Sequence, residues 1–286
     1  MIPGAFDYHR PASIDEAVRL LAQYGDDGRI VAGGHSLIPM MKMRLAQPAH
    51  LVDIGGIGGL SGISEDGPEL VIGALTTQHD LLASDHIERH CPLLREAALL
   101  IADPQVRYRG TIGGNVANGD PGNDMPAVMQ CLDATYVVQG PSGERRIKAG
   151  SFYEAAYFTA LKADEILVGI RIPAPPAGHG WAYEKQKRKV GDYATAAAAV
   201  VLALEGGRCA HASIALTNLG QTPILVGTAL VGTAVDDAAI AAACAAAEAA
   251  SDPVADMRGP VDYRRHLAGV MTDRALRRAL ARGRAH

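Results

Sequence analysis

The chain has 286 residues, of which 48% are hydrophobic and 20% are charged, and its formal net charge is −4. This length and composition provide for a substantial buried core in one large domain or two smaller ones, and we expect two. The acidic balance argues against nucleic acid as a partner, and no apolar run is long enough to span a membrane. Because the first residues also lack a secretory pattern, we expect a cytoplasmic protein.

The first part of the chain predicts a small unit of strands and one helix. Ser13 and Glu16 form a capping-box pattern that begins a helix, and the helix ends before Gly25. Short apolar stretches at residues 29–32 and 50–54 predict two strands. A glycine-rich segment, AGGHS, follows the first of these strands.

The middle of the chain mixes strands and helices. Strands are predicted at residues 69–75, 134–139, 144–149 and 165–172. Helices are predicted for a short segment capped by Thr77 and for residues 92–102 and 124–132. A second glycine-rich segment, TIGGN, lies in a loop before the last of these helices.

Residues 173–180 contain three prolines and two glycines and are the best candidate for a domain boundary. Beyond them we predict strands at 181–189, 194–204 and 209–218, and helices at 236–250 and 261–282. The fold class is therefore α+β. We expect an N-terminal domain of residues 1–177, with parts at about 1–55 and 56–177, and a C-terminal domain of residues 178–286 with a three-stranded antiparallel sheet and helices.

Two glycine-rich segments about eighty residues apart are the most informative feature of the sequence. AGGHS occupies residues 32–36 and TIGGN occupies residues 111–115. Consecutive glycines let backbone N–H groups approach a pyrophosphate closely. Neither segment matches the GxGxxG or GxxxxGK[ST] patterns of the usual NAD and ATP sites. We therefore expect a large dinucleotide held between two separate loops, although each segment alone is also compatible with an ordinary tight turn.

Three longer runs carry a resemblance to a known family. VAGGHSLIPMMKMRLAQPAHLVDI, IADPQVRYRGTIGGNVANGDPGNDMPA and YEKQKRKVGDYATAAAAVV resemble the FAD-binding medium subunits of aerobic, molybdenum-containing carbon monoxide dehydrogenases. These subunits form a branch of the flavoprotein family of xanthine dehydrogenase-like hydroxylases. The resemblance covers nearly the whole chain and weakens after about Thr222. It implies a two-part FAD-binding domain of the vanillyl-alcohol-oxidase (PCMH) type, followed by a small C-terminal domain.

The resemblance also implies a function. It describes an electron-transfer subunit that holds FAD non-covalently and passes electrons from the iron–sulfur clusters of a partner to an acceptor such as a quinone. The molybdenum cofactor and the [2Fe-2S] clusters are expected only on a large and a small partner subunit, in a dimer of heterotrimers, either free in the cytoplasm or at the inner face of the membrane. Two alternatives stay open: a related hydroxylase of aromatic heterocycles or aldehydes, and a non-catalytic assembly subunit.

In the first glycine-rich segment, Gly33 and Gly34 allow close approach to a phosphate, and the Ser36 hydroxyl is a further donor. Ala32 and His35 would contribute through their backbone. Leu37, directly after the segment, completes this group of candidate cofactor contacts.

In and after the second segment, Thr111 offers a hydroxyl, and Gly113, Gly114 and Asn115 offer N–H groups. Asn118 and Asp124 are candidates for binding sugar hydroxyls, while Asp124 is equally suited to cap the helix that starts there. The resemblance supports Thr111, Gly114 and Asp124 as FAD contacts.

Four later residues complete the candidate site. The resemblance places Leu161 as an apolar backbone contact, with simple core packing as the alternative. Lys185 and Lys187 alternate along a predicted strand, where an ammonium would stabilise a reduced, anionic flavin. Tyr193 is the candidate to cover the isoalloxazine ring by offset stacking, although a tyrosine in a strand is otherwise mostly core.

Other functions find no support in the sequence. The four cysteines, at 91, 131, 209 and 244, form no CxxC pair, so we expect buried thiols and no zinc or iron–sulfur site. His79, His86 and His90 come nearest to a histidine cluster, and we interpret them as surface residues. We expect no catalytic residue and no metal ligand in this chain.

Overall fold

The computed structural model describes residues 1–283 and shows an α+β fold, in agreement with the sequence prediction. The first part is a three-stranded parallel sheet of order β1-β3-β2. Its elements are β1 (Asp7–His9), α1 (Ile14–Tyr24), β2 (Gly28–Val31), α2 (Leu37–Lys42) and β3 (His50–Asp53).

The predicted helix start is confirmed with one change in its capping. The Ser13 side chain accepts a hydrogen bond from the Glu16 N–H, as a helix cap does. The Glu16 carboxylate instead accepts from the N–H of Ala12, one residue before the cap. Strand β1 was not predicted, because three residues are too short to show a period.

The second part is a five-stranded antiparallel sheet of order β4-β5-β10-β6-β7. Its strands are β4 (Ile63–Asp66), β5 (Glu69–Gly73), β6 (Thr135–Gly140), β7 (Gly143–Lys148) and β10 (Ile166–Pro173), and β8 (Tyr153–Ala155) pairs with β9 (Phe158–Thr159) beside it. Six short helices connect these strands: α3 (Gln78–Ala83), α4 (Asp85–His90), α5 (Pro92–Leu99), α6 (Pro104–Arg107), α7 (Ile112–Ala117) and α8 (Asp124–Cys131).

The third part is a four-stranded antiparallel sheet of order β11-β12-β13-β14 with two helices. Its elements are β11 (Gly180–Gln186), β12 (Ala196–Glu205), β13 (Arg208–Thr217), β14 (Ile224–Val226), α9 (Asp237–Ala250) and α10 (Val261–Gly283). The three predicted strands are present as β11, β12 and β13 in an antiparallel sheet, but the prediction missed the fourth strand, because β14 has only three residues between Pro223 and Gly227. The predicted strand 181–189 also ends early, at Gln186.

Strand β12 places the third sheet between two cores. Ala197, Ala199 and Val201 belong to the core that contains α5 and α8, whereas Ala198 and Val200 belong to the core under α9 and α10. A strand buried on both faces reads as a continuous apolar run, and small alanines let both layers approach closely. Strand β11, the neighbour of β12, packs against α5, and its Tyr183 and Lys185 side chains reach Asp124 on α8.

No helix in the described range of residues 1–283 is both long enough and apolar enough to cross a bilayer.

Candidate functional site

A cavity of about 760 Å³ lies where the three parts of the fold meet. Fifteen of the sixteen candidate residues line it: Ala32, Gly33, Gly34, His35, Ser36, Leu37, Thr111, Gly113, Gly114, Asn115, Asn118, Asp124, Leu161, Lys185 and Tyr193. Lys187 does not line the cavity; it lies directly after Gln186, the last residue of β11. Their contact with a cofactor stays a prediction, but the fold brings them to one place.

The two glycine-rich segments lie side by side. A Cβ on Gly33 would stand 2.2 Å from the carbonyl oxygen of Arg109 and 3.0 Å from the Cα of Gly110. Gly34 has φ of +73°, a conformation that favours glycine. Gly33 is therefore required for the close contact with residues 109–110, directly before the TIGGN segment, and Gly34 for the turn.

The AGGHS segment has free hydrogen-bond donors. Within the described part of the chain, the N–H groups of Gly33, Gly34, His35 and Ser36 have no acceptor. The carbonyls of Gly34 and Ser36 are used, since they accept from the first turn of α2. A row of unpaired N–H groups at the wall of a cavity suits an anionic group such as a phosphate.

The TIGGN segment differs from the sequence prediction. It is not a loop with free donors: Thr111 caps α7, and Gly113, Gly114 and Asn115 lie in the helix. The Gly113 N–H donates to the carbonyl of Ala74, the Gly114 N–H to Thr111 Oγ1, and the Asn115 N–H to the carbonyl of Thr111. The expectation that these N–H groups are free donors is therefore wrong, because Thr111 at the start of α7 accepts from Gly114 and Asn115, and the Ala74 carbonyl accepts from Gly113.

The segment keeps other roles at the cavity. A Cβ on Gly114 would meet only Thr111 Oγ1, at 2.9 Å, so the space beside Gly114 is otherwise open. The Asn115 side chain accepts from the N–H of Met125 and its carbonyl accepts from the Asn123 side chain, which fixes α7 against α8. Asn118 lies at the end of α7. The Thr111 hydroxyl can still donate its proton while it accepts the cap bond.

Asp124 is the centre of a buried polar cluster. Its Oδ2 lies 2.7 Å from the Lys185 ammonium, and its Oδ1 accepts from the Tyr183 hydroxyl at 2.5 Å. Asp124 does not cap α8, since Asn123 holds the cap position. Burial raises the pKa of Asp124, and the Lys185 ammonium opposes this shift, as does the more distant charge of Lys187.

The same cluster sets the protonation state of Tyr183 and uses the hydrogen-bond donors of Lys185. Burial raises the pKa of Tyr183 well above its usual value, and the neighbouring Asp124 raises it further. Tyr183 therefore stays a neutral donor. Lys185 also donates to the carbonyl of Leu100 at 3.3 Å, so most of its donors are used.

Tyr193 stands at the mouth of the cavity rather than in the core. Its side chain is 43% exposed, it packs beside Gly122, and the Arg258 guanidinium lies 5.9 Å from the ring centroid. The rest of the Tyr193 side chain is buried, and this burial raises the pKa of the hydroxyl. This exposed position speaks against the core alternative. Leu161, by contrast, both packs on the main core and lines the cavity.

Gln78 is a cavity residue that the sequence analysis missed. It is 2% exposed, and neither its Nε2 nor its Oε1 has a hydrogen-bond partner in the described part of the chain. A buried amide without partners is costly and indicates a missing ligand or water. Nothing local distinguishes Gln78 in the sequence, because its position depends on distant partners: its N–H donates to the carbonyl of Gly110, and Thr77 bridges to Thr111.

A second unpredicted feature holds the segment that carries Leu161. Glu165, which lines the cavity, accepts from Arg145 Nε at 2.7 Å and from Arg145 Nη2 at 2.6 Å. The Glu165 carboxylate also accepts from the Lys162 N–H, and Arg145 donates to the carbonyl of Ala160. These bonds tie residues 160–165 to β7.

The predicted buried thiols are confirmed for three of the four cysteines. All four are free; Cys91, Cys131 and Cys209 are buried, and Cys244 is partly buried. Burial raises the pKa of Cys91 and Cys131 to about 12, so these thiols stay protonated.

The sequence matches two family models. Residues 4–175 match the model described as the FAD binding domain in molybdopterin dehydrogenase. Residues 181–279 match the model described as the CO dehydrogenase flavoprotein C-terminal domain.

Several known proteins and solved structures are similar to this chain over nearly its full length. The chain is 60% identical over 287 residues to the carbon monoxide dehydrogenase medium chain of Afipia carboxidovorans, covering 99% of this chain and 100% of that one. It is 50% identical to the medium chain of Hydrogenophaga pseudoflava, covering 99% of each. A crystal structure of the Cu,Mo-CO dehydrogenase in its cyanide-inactivated form contains a chain that superimposes with a TM-score of 0.97 at 60% identity, covering 99% of this chain and 100% of that chain.

Proposed function

The chain belongs to the FAD-binding flavoprotein family of molybdopterin dehydrogenases, and we propose that it is the FAD-carrying, electron-transfer subunit of an aerobic carbon monoxide dehydrogenase. The similarity to two carbon monoxide dehydrogenase medium chains supports this assignment within the family.

The observation that carries the proposal is the cavity itself. It joins a row of unpaired N–H groups in the AGGHS segment, an open space beside Gly114, and an exposed aromatic ring, Tyr193. These three features fit the pyrophosphate and the ring system of a flavin dinucleotide. The unpartnered amide of Gln78 fits as well, since a polar ligand would satisfy it.

We assign roles to the chain's own residues on this basis. The N–H groups of residues 33–36 hold the pyrophosphate, with the hydroxyls of Ser36 and Thr111 as further donors. Gly114 leaves the space that the dinucleotide needs. Tyr193 covers one face of the isoalloxazine ring.

Other residues shape the wall of the site. Asn118 and Gln78 bind polar groups of the cofactor, and Leu161 presents its backbone. Lys185, paired with Asp124, places a neutral ion pair rather than a free cation at the wall. Lys187 acts from outside the cavity through its charge. Bound FAD supplies the redox chemistry, and the protein supplies binding, orientation and the electrostatic surroundings.

We propose the following organisation for the chain and its complex. Residues 1–177 form the FAD-binding domain, and residues 178–286 form the C-terminal domain, whose last three residues lie outside the described range. The partners are a molybdenum-containing large subunit and an iron–sulfur small subunit in a dimer of heterotrimers, with a quinone as electron acceptor. A cytoplasmic location, either free or at the inner face of the membrane, completes the proposal, and the four free cysteines suit a reducing compartment.

Partner-dependent reduction tests this function. The isolated FAD-loaded chain should be bleached by dithionite and stay unchanged under carbon monoxide. Addition of the molybdenum and iron–sulfur subunits should make the flavin absorbance bleach when carbon monoxide is supplied. Bleaching of the isolated chain by carbon monoxide would contradict the proposal, and bleaching of the complex by an aldehyde or a heterocycle alone would assign the chain to a related hydroxylase.

A further inference from the structure

A cluster of three potential metal ligands lies on the surface outside the cofactor cavity. His86 and His90 stand one turn apart on α4, and Glu65 comes from the facing strand β4. One donor atom from each residue lies within 4.8 Å of the other two. None of the three lines the cavity.

We propose that Glu65, His86 and His90 form a binding site for a divalent first-row transition ion, with Zn²⁺ as the reference ion. Two imidazoles and one carboxylate are a ligand set that zinc accepts, with water in the open position. Ni²⁺ and Cu²⁺ also bind imidazole and would compete for the site.

The distances support convergence on a single point. Glu65 Oε1 lies 2.6 Å from His86 Nδ1 and 3.0 Å from His90 Nε2. Around a tetrahedral zinc ion with bonds of about 2.1 Å, neighbouring donors stand about 3.4 Å apart. The Glu65 carboxylate would therefore have to move away from each histidine nitrogen by less than about 1 Å, and the two histidine nitrogens, with the carboxylate oxygen, already lie within 4.8 Å of one another. Their side chains are 42–46% exposed, which leaves room for this movement.

The backbone beneath the cluster is fixed. Ile87, between the two histidines, is fully buried in the main core, so α4 cannot turn easily. Glu65 is paired opposite Leu70 in the β4–β5 ladder. Such prior positioning reduces the entropy lost when an ion binds.

The sequence expectation of surface histidines without a metal role missed this arrangement for two reasons. Glu65 precedes His86 by twenty-one residues and lies on another element. His79, the third histidine of the sequence group, does not join the cluster, since it stacks on Tyr108 with ring centroids 4.0 Å apart.

A bound ion would hold the edge strand β4 against helix α4. Strand β4 is the outer strand of the five-stranded sheet, and within residues 1–283 it pairs with β5 alone. A metal shared between β4 and α4 would tie this edge to the core helices. Binding to the folded chain alone would then raise the thermal unfolding midpoint.

Zinc titration of the full chain and its variants tests the proposal. We expect one Zn²⁺ per chain in isothermal titration against a competing chelator, and a loss of affinity of at least about tenfold in His86→Ala, His90→Ala or Glu65→Gln. His266→Ala is the matched control, because His266 faces Glu248 at 3.7 Å as a pair without a third ligand in the described residues. This variant should bind zinc as the wild type does.

Two measurements keep the outcome decisive. Circular dichroism should show that every variant is folded, as expected for exposed side chains. Zinc should raise the unfolding midpoint of the wild type and of His266→Ala, but not that of the double variant His86→Ala/His90→Ala. Equal zinc affinity in the wild type and the double variant, or no binding by the wild type, would overturn the proposal.

Discussion

Asp124 Oδ2 lies 2.7 Å from Lys185 Nζ, and the two side chains are only 6% and 1% exposed. The pair joins the first turn of α8 to strand β11, and so links the two segments that match separate family models. The ammonium that the sequence offered to a reduced flavin is therefore already neutralised by a carboxylate. The pair fixes the wall of the cavity and limits the free positive charge there.

Breaking this pair from either side should destabilise the chain strongly. We expect Asp124→Asn and Lys185→Met each to lower the free energy of unfolding by about 3 kcal/mol, because each leaves a buried polar or charged partner unpaired. The double variant should lose clearly less than the sum, since no charge then remains unpaired. Urea unfolding of the four proteins measures this coupling. Additive losses would show that the two residues act independently.

Gln78 should matter for the cofactor and not for the fold. Gln78→Met removes two unsatisfied polar atoms at nearly constant volume, so the stability of the FAD-free chain should stay equal or rise. FAD affinity should fall by about tenfold, as expected for the loss of a hydrogen bond of about 1.4 kcal/mol.

Gln130→Met is the control for Gln78. Gln130 is also buried, but its side chain donates to the carbonyl of Ala149 and does not line the cavity. The Gln130→Met variant should lose about 1 kcal/mol in its free energy of unfolding and keep the FAD affinity of the wild type. Equal FAD affinity in Gln78→Met and the wild type, measured by flavin fluorescence titration, would refute the assigned contact.

Tyr193 should act through its ring. Tyr193→Ala removes a stacking interaction worth about 1 kcal/mol beyond burial, so FAD affinity should fall by about fivefold, and the flavin reduction potential should shift. Tyr193→Phe keeps the ring and should keep both properties close to those of the wild type. Potentiometric titration and turnover of the assembled complex check this, and wild-type values in Tyr193→Ala would mean that the ring does not meet the flavin.

The Glu165–Arg145 pair should give a pH-dependent contribution to stability. The hydrogen bonds from Arg145 lower the pKa of Glu165 below its ordinary 4.5. Its contribution is therefore complete above that value and is lost as the pH falls through the lower folded pKa. Near neutral pH, Glu165→Gln should lower the free energy of unfolding by about 2 kcal/mol. In acid, the free energies of unfolding of the variant and the wild type should become more similar.

Glu144→Gln is the matched control for Glu165. Glu144 lies on β7 and meets Arg146 at 3.3 Å, but both side chains are at least half exposed. The Glu144→Gln substitution should lower the free energy of unfolding by less than about 1 kcal/mol at any pH. Urea unfolding over a pH series compares the two variants. A constant difference between Glu165→Gln and the wild type down to acid pH would show that ionisation of Glu165 does not stabilise the fold.

The long elements could be predicted from the sequence because their signals are local. Residues 236–250 and 261–282 were predicted as helices, and α9 and α10 occupy nearly the same residues. Strands of ten residues, such as β12, were found for the same reason. The short strands β1, β4 and β14 were missed, because their stability comes from pairing partners distant in the sequence.

Most of the candidate residues that line the cavity could be named from the sequence, but their hydrogen bonds could not. The glycine-rich segments and Tyr193 were found by pattern and resemblance, and the fold brings them together. The sequence did not reveal that TIGGN forms a helix, because that depends on the carbonyls of Thr76 and Ala74, which accept from Ile112 and Gly113. Gln78 was invisible because no local pattern marks an amide that lacks partners.

The FAD content of the purified full chain, compared with its Gly114→Val variant, tests the central claim most directly. We predict one FAD per wild-type chain, released unmodified on denaturation, and little or none in Gly114→Val, whose side chain fills the open space beside α7. Gly150→Val, at a glycine with no neighbour within 4 Å, should keep its FAD. No FAD in the wild type, or equal FAD in folded Gly114→Val, would contradict the account.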